Sequence, residues 1–389
     1  MICPLLSAAV SVNNDYPLIV LIMKNVPLVT LPKFQVSTAV DSLATQFAAT
    51  LRWQIEVGEE VRTVAWLPDH SAVLVLTGSG RVVQLRAADG QPMWGHTAPG
   101  DGAVCLSVCP SAPLVATGHL NGKLRLRTAA TGKLVSEQQL GPSWVDCVAW
   151  SPNGQLLAAT SGRVLHLLDA TGQPLACYQG HDMGIDAICW RTDSGAFATA
   201  SGNTARLFTM PTASVPLEPN HVLILSGTRP LTALQWCSTG QLLVASLTKG
   251  QLGCWHLPSG KSVSRRVIGR LGAMQALSWQ GDGRRLALTY GSGISLWEFT
   301  AASLSRMPML LTHHTRPIQQ LVFQHQGHLL ASADTGGTLA LWNPPQQATP
   351  CSVHTVGSAI ISLDWMTNDG CLALGTVEGR VAVISTVSS

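Results

Sequence analysis

Short apolar runs alternate with clusters of Gly, Pro, Asn and Ser along almost the whole chain, and the runs end on a common beat. TVAW (ending at Trp66), CVAW (Trp150), AICW (Trp190), ALQW (Trp236), ALSW (Trp279), QLVF (Phe323) and SLDW (Trp365) recur, and CLSV ending at Val108 fills the one gap. Successive ends lie 40 to 46 residues apart, a period that marks a repeat architecture in which each unit buries its apolar face only by stacking on its neighbours. Within the third unit, WVDCVAW (144–150) is followed by the turn SPNG, then QLLAAT (155–160), a short turn at Ser161-Gly162, RVLHLLD (163–169), and QPLACYQ (173–179). Turn formers at the breaks and runs of five to seven residues between them predict four short strands per unit. The second and third runs are apolar almost throughout, as expected of strands covered on both faces. Four-stranded sheets at this period, packed around an axis, predict an all-β chain folded as a β-propeller.

The count predicts eight blades, with seven the alternative. The last unit supplies runs ending at Trp365, CLALGT (371–376) and RVAVIS (380–385) and then the chain ends, one strand short. TLRWQIEV (50–57) precedes the first unit and is expected to supply the missing outer strand, closing the ring and removing an exposed edge. Residues 1–48 are then an N-terminal extension, in part disordered, and 49–389 the propeller. The extension has no Lys or Arg in its first 22 residues, so it lacks the basic start of a secretory signal. A translation start at Met23 would account for that stretch, and a cytoplasmic location is expected.

At this point the units resemble the WD-repeat family. SPNG (151–154) looks like that family's turn after the first strand, Gly180-His181 matches its Gly-His pair, and LALW ending at Trp342 matches its third-strand tryptophan, as do Trp255 and Trp297. Leu168-Asp169 keeps only the aspartate, and no unit has an intact Trp-Asp pair. The family also carries a His–Ser–Asp–Trp hydrogen-bond cluster. In the seventh unit His314, Ser332 and Trp342 supply three members, while Thr335-Gly336 stands where the turn aspartate is expected and Asp334 is displaced by two. The resemblance implies an interaction scaffold. A second likeness, in AADGQPMW (87–94) and DATGQPLACY (169–178), is to the Ala-x-Asp-x-x-x-Gly…Trp repeats of eight-bladed quinoprotein-type propellers, which implies the alternative of an envelope enzyme or assembly factor.

Composition narrows the classes. Only 12% of the 389 residues are charged and the net charge is +3, which leaves no global electrostatic case for nucleic acid. No apolar run approaches the ~20 residues needed to span a bilayer, so membrane insertion is not expected. The ten cysteines contain no CxxC pair and read as buried small hydrophobes rather than zinc ligands. HExxH, GxSxG and GxGxxG are all absent. Gly260-Lys261-Ser262 ends like a phosphate loop, but it lies in a strand-to-strand turn where no helix N-terminus can face a phosphate. No catalytic residue and no cofactor is therefore expected, and the chain reads as a non-enzyme. A histidine-rich sector (His313, His314, His325, His328, His354) offers His325 and His328 as weak metal candidates, hence the further alternative of a metal-handling accessory protein. Lys261, Arg265, Arg266, Arg270, Arg284 and Arg285 could form a basic patch, most simply a solvated face.

Candidate functional positions follow from ring geometry. The residue four before each strand-end aromatic opens the innermost strand near one mouth of the central channel: Arg62, Val104, Asp146, Asp186, Thr232, Gln275, Gln319 and Ile361. Trp144, Met183, Arg229 and Arg316 lie in the loops that enter those strands. Of these, Arg62, Trp144, Asp146, Met183, Asp186, Arg229, Gln275, Arg316 and Gln319 are expected to contact a partner, because Trp and Arg anchors amid polar groups suit a protein-binding surface. Asp146 and Asp186 alone make a poor calcium cage, which needs six to eight oxygens. The expected partners are one or more proteins, with the propeller itself monomeric inside a complex.

Overall fold

The computed structural model describes residues 47–96, 102–210, 219–224, 231–247, 251–257, 264–268, 274–299, 308–344 and 346–388. Among them the regular elements are all strands, arranged as eight four-stranded antiparallel sheets. The first strands of successive sheets touch in cyclic order, and the first strand of blade 1 (Val61–Trp66) packs against that of blade 8 (Ile360–Trp365). The sheets therefore form a closed ring, an eight-bladed β-propeller with its first strands innermost. The second strands show why such strands can be apolar on both faces. Ala72–Thr77 and Ala196–Ser201 are buried at every position, since each blade is covered on both sides. The buried apolar residues fall into eight clusters, one at each interface between consecutive blades. Trp66, Trp150, Trp190, Trp236, Trp279 and Trp365 sit inside these clusters, so the recurring aromatic is a packing element.

Blade 8 is completed from the other end of the chain. Phe47–Glu56 pairs antiparallel with Arg380–Ser388, with a bulge between Leu51 and Trp53. Trp53 is buried, donates its indole N–H to Ala87 O at 2.8 Å, and lies over the third-to-outer turn of blade 1. There Gly90 has φ 74°, and a Cβ on it would stand 2.7 Å from the indole ring. Trp94 repeats the device one blade later: it donates to Ala129 O at 2.8 Å over Gly132, φ 67°. The motif at 87–94 is thus an interlock between outer strands, built from an indole, an alanine carbonyl and a glycine that leaves room for the ring.

The inner strands are tied together by a second recurring device. In four of the eight blades the side chain just before the end of the inner strand accepts the backbone N–H of the next blade's strand-end aromatic: Ser107 Oγ from Trp150 (3.3 Å), Cys189 Sγ from Trp236 (3.3 Å), Ser278 Oγ from Phe323 (2.9 Å) and Asp364 Oδ2 from Trp66 (2.7 Å). The indole N–H groups of Trp66, Trp190 and Trp365 reach carbonyls of the preceding blade, at Asp364, Ala149 and Val322. Those of Trp150, Trp236 and Trp279 have no partner among the described residues. Between blades 7 and 8 the rim turns interlock as well. Asp369, at φ 61°, accepts the backbone N–H groups of His325, Gln326 and Gly327 at 2.7, 2.8 and 2.8 Å.

Asp364 gives the closure seam between blades 8 and 1 a pH dependence. Burial pushes its carboxyl up to about 6, against the opposing pull of the Trp66 N–H and of His325. Its ordinary value is near 4, so between about pH 4 and 6 the folded chain holds a proton that the unfolded chain has lost. Stability from this group is present below pH 4 and lost as pH rises through 6. Asp364→Asn keeps the acceptor for Trp66 without the charge. The variant is expected to match the parent at pH 4.5 and to exceed it at pH 8, by at most about 3 kcal/mol, two pK units at 1.36 each. Melting curves at the two pH values check this; a gain confined to the acidic side would contradict it.

Two local expectations are corrected. The inner strand expected over 144–150 is regular only at Val148–Trp150, and those of blades 4 and 6 are likewise short, Ala187–Trp190 and Leu277–Trp279. Side chains take over the ladder there: Thr160 Oγ1 accepts the Cys147 N–H at 3.2 Å, and Thr289 Oγ1 those of Gln275 and Ala276 at 3.0 and 3.1 Å. In the other blades one residue bulges instead, since the registers slip at Arg62, Val104, Thr232, Gln319 and Ile361.

The second correction concerns the cluster in blade 7, which is complete. His314 Nδ1 lies 2.7 Å from Asp334 Oδ2, His314 Nε2 lies 2.7 Å from Ser332 Oγ, and Trp342 Nε1–H donates to Ser332 Oγ at 2.8 Å. All four residues are buried. Asp334 is the turn aspartate: its Oδ1 accepts the N–H groups of Gly336 and Thr338, both at 2.9 Å. The turn begins two residues earlier than the Thr335-Gly336 reading placed it, so nothing is displaced. Blade 4 holds a broken copy. His181 reaches Thr199 at 2.9 Å, but Ser201 and Phe208 replace the aspartate and tryptophan, and His181 Nδ1 has no partner among the described residues.

Candidate functional site

Antiparallel blades place two kinds of connection on one face of the ring: the turn between second and third strands, and the loop from an outer strand into the next blade's inner strand. On blades 2 to 4 these are bonded into a continuous belt. Val145 N–H donates to His119 O (3.0 Å) and Leu140 N–H to Gly122 O (3.0 Å), joining the blade 2 turn to the loop entering blade 3. Ser161 Oγ donates to Ser143 O at 2.9 Å, and Ile185 N–H to Gly162 O at 3.1 Å. Ser201 Oγ donates to Met183 O at 3.0 Å. Backbone this well tied holds the side chains above it in place.

Those side chains are strongly exposed. Trp144 is 56% exposed, Met183 59% and Leu120 39%. A tryptophan so open is unusual, because the residue normally buries most of its 150–250 Å². Met183 lies across Gly202, where a Cβ would meet its sulfur at 2.9 Å. Asp146 and Asp186 stand beside them at equivalent positions of adjacent blades, both exposed. Asp186 Oδ2 accepts the Gly202 N–H at 3.4 Å. Neither carboxylate has an ion-pair partner among the described residues. Asp146 is held above the ordinary aspartate range by partial burial and then by the charge of Asp186. Behind them, Cys105 Sγ donates to Val145 O at 3.1 Å and Cys147 Sγ to Asp186 O at 3.4 Å. Burial, reinforced by the two aspartates, pushes the Cys147 thiol up to about 11, and burial raises Cys105 further, so both stay protonated and unreactive.

The remaining sequence candidates spread around the same mouth. Arg62 is exposed at the bulge of blade 1, Gln275 is exposed at the entry to blade 6, and Arg316 is exposed in the loop entering blade 7, with its stem over Gly336. Gln319 is half-buried at the blade 7 bulge, and its Oε1 has no partner among the described residues. Arg229 lies outside the described residues, as do Lys261, Arg270 and the Gly260-Lys261-Ser262 turn. Of the basic group, Arg285 is paired with Glu298 at 3.0 Å and Arg284 is exposed. Trp144, Asp146, Met183 and Asp186 are thus the members brought together. Leu120 and Arg163, on the turns of blades 2 and 3, share their face and were not singled out, although the topology of turns places them there.

The histidine sector does not converge. His325 Nε2 lies 3.1 Å from Trp365 O in blade 8, whereas His328 Nδ1 accepts from Gln280 Nε2 at 2.6 Å in blade 6. The two rings engage opposite neighbours, so the expected pair of metal candidates is not a pair. No group of three or more His, Cys, Asp or Glu among the described residues could hold a metal ion.

An eight-bladed ring with a buried His–Ser–Asp–Trp cluster in one blade defines the class as a WD-type propeller. The WD40 family profile (WD domain, G-beta repeat) matches residues 133–169, 172–209 and 306–343, so the chain carries WD40 repeats and the resemblance drawn from its motifs holds. Echinoderm microtubule-associated protein-like 2 of Homo sapiens is 30% identical over 160 residues, covering 39% of this chain and 24% of the relative. Telomerase Cajal body protein 1 of Mesocricetus auratus is 32% identical over 120 residues, 29% of this chain and 21% of the relative. The chain thus spans about a quarter of the length of these relatives. Among solved structures, the computationally designed Ika8 protein superposes with a TM-score of 0.71 and the C-terminal WD40 domain of Sif2 with 0.68. Each is 16% identical, with 86% of this chain and 99% of the other covered, a likeness of fold.

Proposed function

We propose that the chain is a non-catalytic scaffold that binds protein partners on the face carrying Leu120, Trp144 and Met183. The observation that carries the proposal is the exposed tryptophan and methionine on a hydrogen-bonded belt. A rigid platform holds an aromatic anchor in water at no structural benefit to the propeller itself, and such anchors supply most of the binding energy at protein interfaces. WD40 repeats and the two curated relatives, whose names attach them to microtubules and to telomerase and the Cajal body, agree with an interaction role at this coarse level. The partner of neither relative is transferred. The protonated thiols argue against nucleophilic chemistry at the mouth.

Affinity capture tests the reading. The full chain is expected to retain a partner in fixed stoichiometry, and the double variant Trp144→Ala, Asp186→Ala, which removes only exposed groups, to lose it while melting within a few degrees of the parent. Identical retention by both proteins, or no stoichiometric partner for the parent, would count against it.

A further inference from the structure

We infer that the partner segment seated on this face presents a basic side chain flanked by apolar ones. The inference rests on the scaffold reading above and narrows it. Its foundation is the apolar arc: Leu120 on the blade 2 turn, Trp144 in the loop into blade 3 and Met183 in the loop into blade 4 lie on consecutive elements of one belt. Three consecutive exposed apolar side chains give a docking strip, and the charges beside it select what docks. On the channel side of the strip stand Asp146 and Asp186, on adjacent blades and close enough that the charge of one acts on the other. The other charges of this sector are largely spent. Asp182 is paired with Arg206 at 3.1 Å, and Glu137 binds both Lys123 and Arg125 at 2.7 and 2.6 Å. Among the described residues of this sector Arg163, exposed on the blade 3 turn, is the remaining cation, so there the unpaired carboxylates outnumber it. An acidic or phosphorylated segment would meet repulsion at Asp146 and Asp186. A purely apolar one would cover them without compensation, which is costly. An Arg or Lys whose neighbours lie on Trp144 and Met183 satisfies both features at once, and the complementarity also discriminates against acidic competitors.

A phage-displayed random peptide library panned on the full-length chain tests this without a named partner. Enrichment of Arg or Lys beside aliphatic or aromatic residues is expected. A fluorescein-labelled synthetic copy of the enriched peptide is expected to bind about tenfold or more weakly to Asp146→Asn, Asp186→Asn, an effect typical of charge pairs at a contact centre. The same peptide should bind within about twofold to Arg86→Ala, Arg284→Ala, exposed residues on turns of the opposite face, and more weakly as salt is raised. Both double variants alter exposed groups, and their melting temperatures confirm folding. Enriched acidic or purely apolar peptides, or binding lost with Trp144→Ala yet indifferent to Asp146→Asn, Asp186→Asn, would overturn the basic partner and leave the scaffold standing. No enrichment together with no partner in affinity capture would overturn both.

Discussion

Trp53→Ala is expected to destabilise the propeller by about 3–5 kcal/mol, the usual cost of deleting a buried Trp. Three losses coincide at this position. The indole fills the space over Gly90, its N–H satisfies Ala87 O, and its strand is the outer edge of blade 8. Every other blade is one continuous stretch of chain, whereas blade 8 is held to its outer strand by pairing alone. Weakening Trp53 therefore weakens the closure itself, and a ring that opens exposes the apolar interface between blades 8 and 1. Trp94 supplies the control. It makes the same indole-to-alanine bond over the same kind of glycine, but between two blades joined directly in sequence, and it is only half-buried. Trp94→Ala should cost less, as should Trp53→Phe, which keeps an aromatic ring in place but loses the donor and part of the indole's volume. Urea denaturation orders the three. Hydrogen exchange should show Arg380–Ser388 losing protection first in Trp53→Ala and not in Trp94→Ala. Equal losses in the two alanine variants would mean that the closure is no weaker than any other seam.

The ring could be read from sequence because its determinants repeat. An aromatic at a 40–46 residue spacing, one strand missing at the end and one to spare at the beginning were enough to place eight blades and the strand containing Trp53. What escaped notice depends on contacts between units that share no local pattern. Thr160 and Thr289 look like ordinary strand residues, and only the fold shows their hydroxyls replacing a ladder bond and shortening the inner strands. The indoles of Trp53 and Trp94 gave no sign of the glycines they cover, because those glycines belong to the next blade. His325 and His328 are three apart in a turn, yet one leans to each neighbouring blade. At the mouth, sequence placed Trp144, Asp146, Met183 and Asp186 together because equivalent loops converge. It overlooked Leu120 and Arg163 because the second-to-third turns were not counted as part of the same face. Asp334 was misplaced for a local reason: its carboxylate caps Gly336 and Thr338, so the turn starts at the aspartate rather than after it.

Asp334→Ala should cost about 3–5 kcal/mol, the usual result of removing one member of a buried charged network. The bonding order explains why so much hangs on this residue. A carboxylate only accepts, so His314 Nδ1 carries the proton and donates it to Asp334. Burial lowers the imidazole below its usual range, leaving Nε2 neutral to accept from Ser332 Oγ, which in turn accepts from Trp342. Removing Asp334 strands the Nδ1–H in a dry interior and takes the acceptor from the turn N–H groups of Gly336 and Thr338. The pH dependence carries the sharper test. Because His314 is depressed in the fold, the unfolded chain takes up a proton first, and stability falls as pH drops below about 6.5. Asp334 partly offsets that depression, so its loss deepens it, and the stability gap between parent and variant should widen on acidification. Blade 4 already contains the outcome, since His181 lacks an aspartate beneath it and is lowered to about 4 by burial and by Arg206. His314 in the variant should move the same way, which its imidazole resonances would report in an NMR titration. A His314 titrating near 6.5 in Asp334→Ala would mean that water has replaced the carboxylate and that the cluster is not the dry network described.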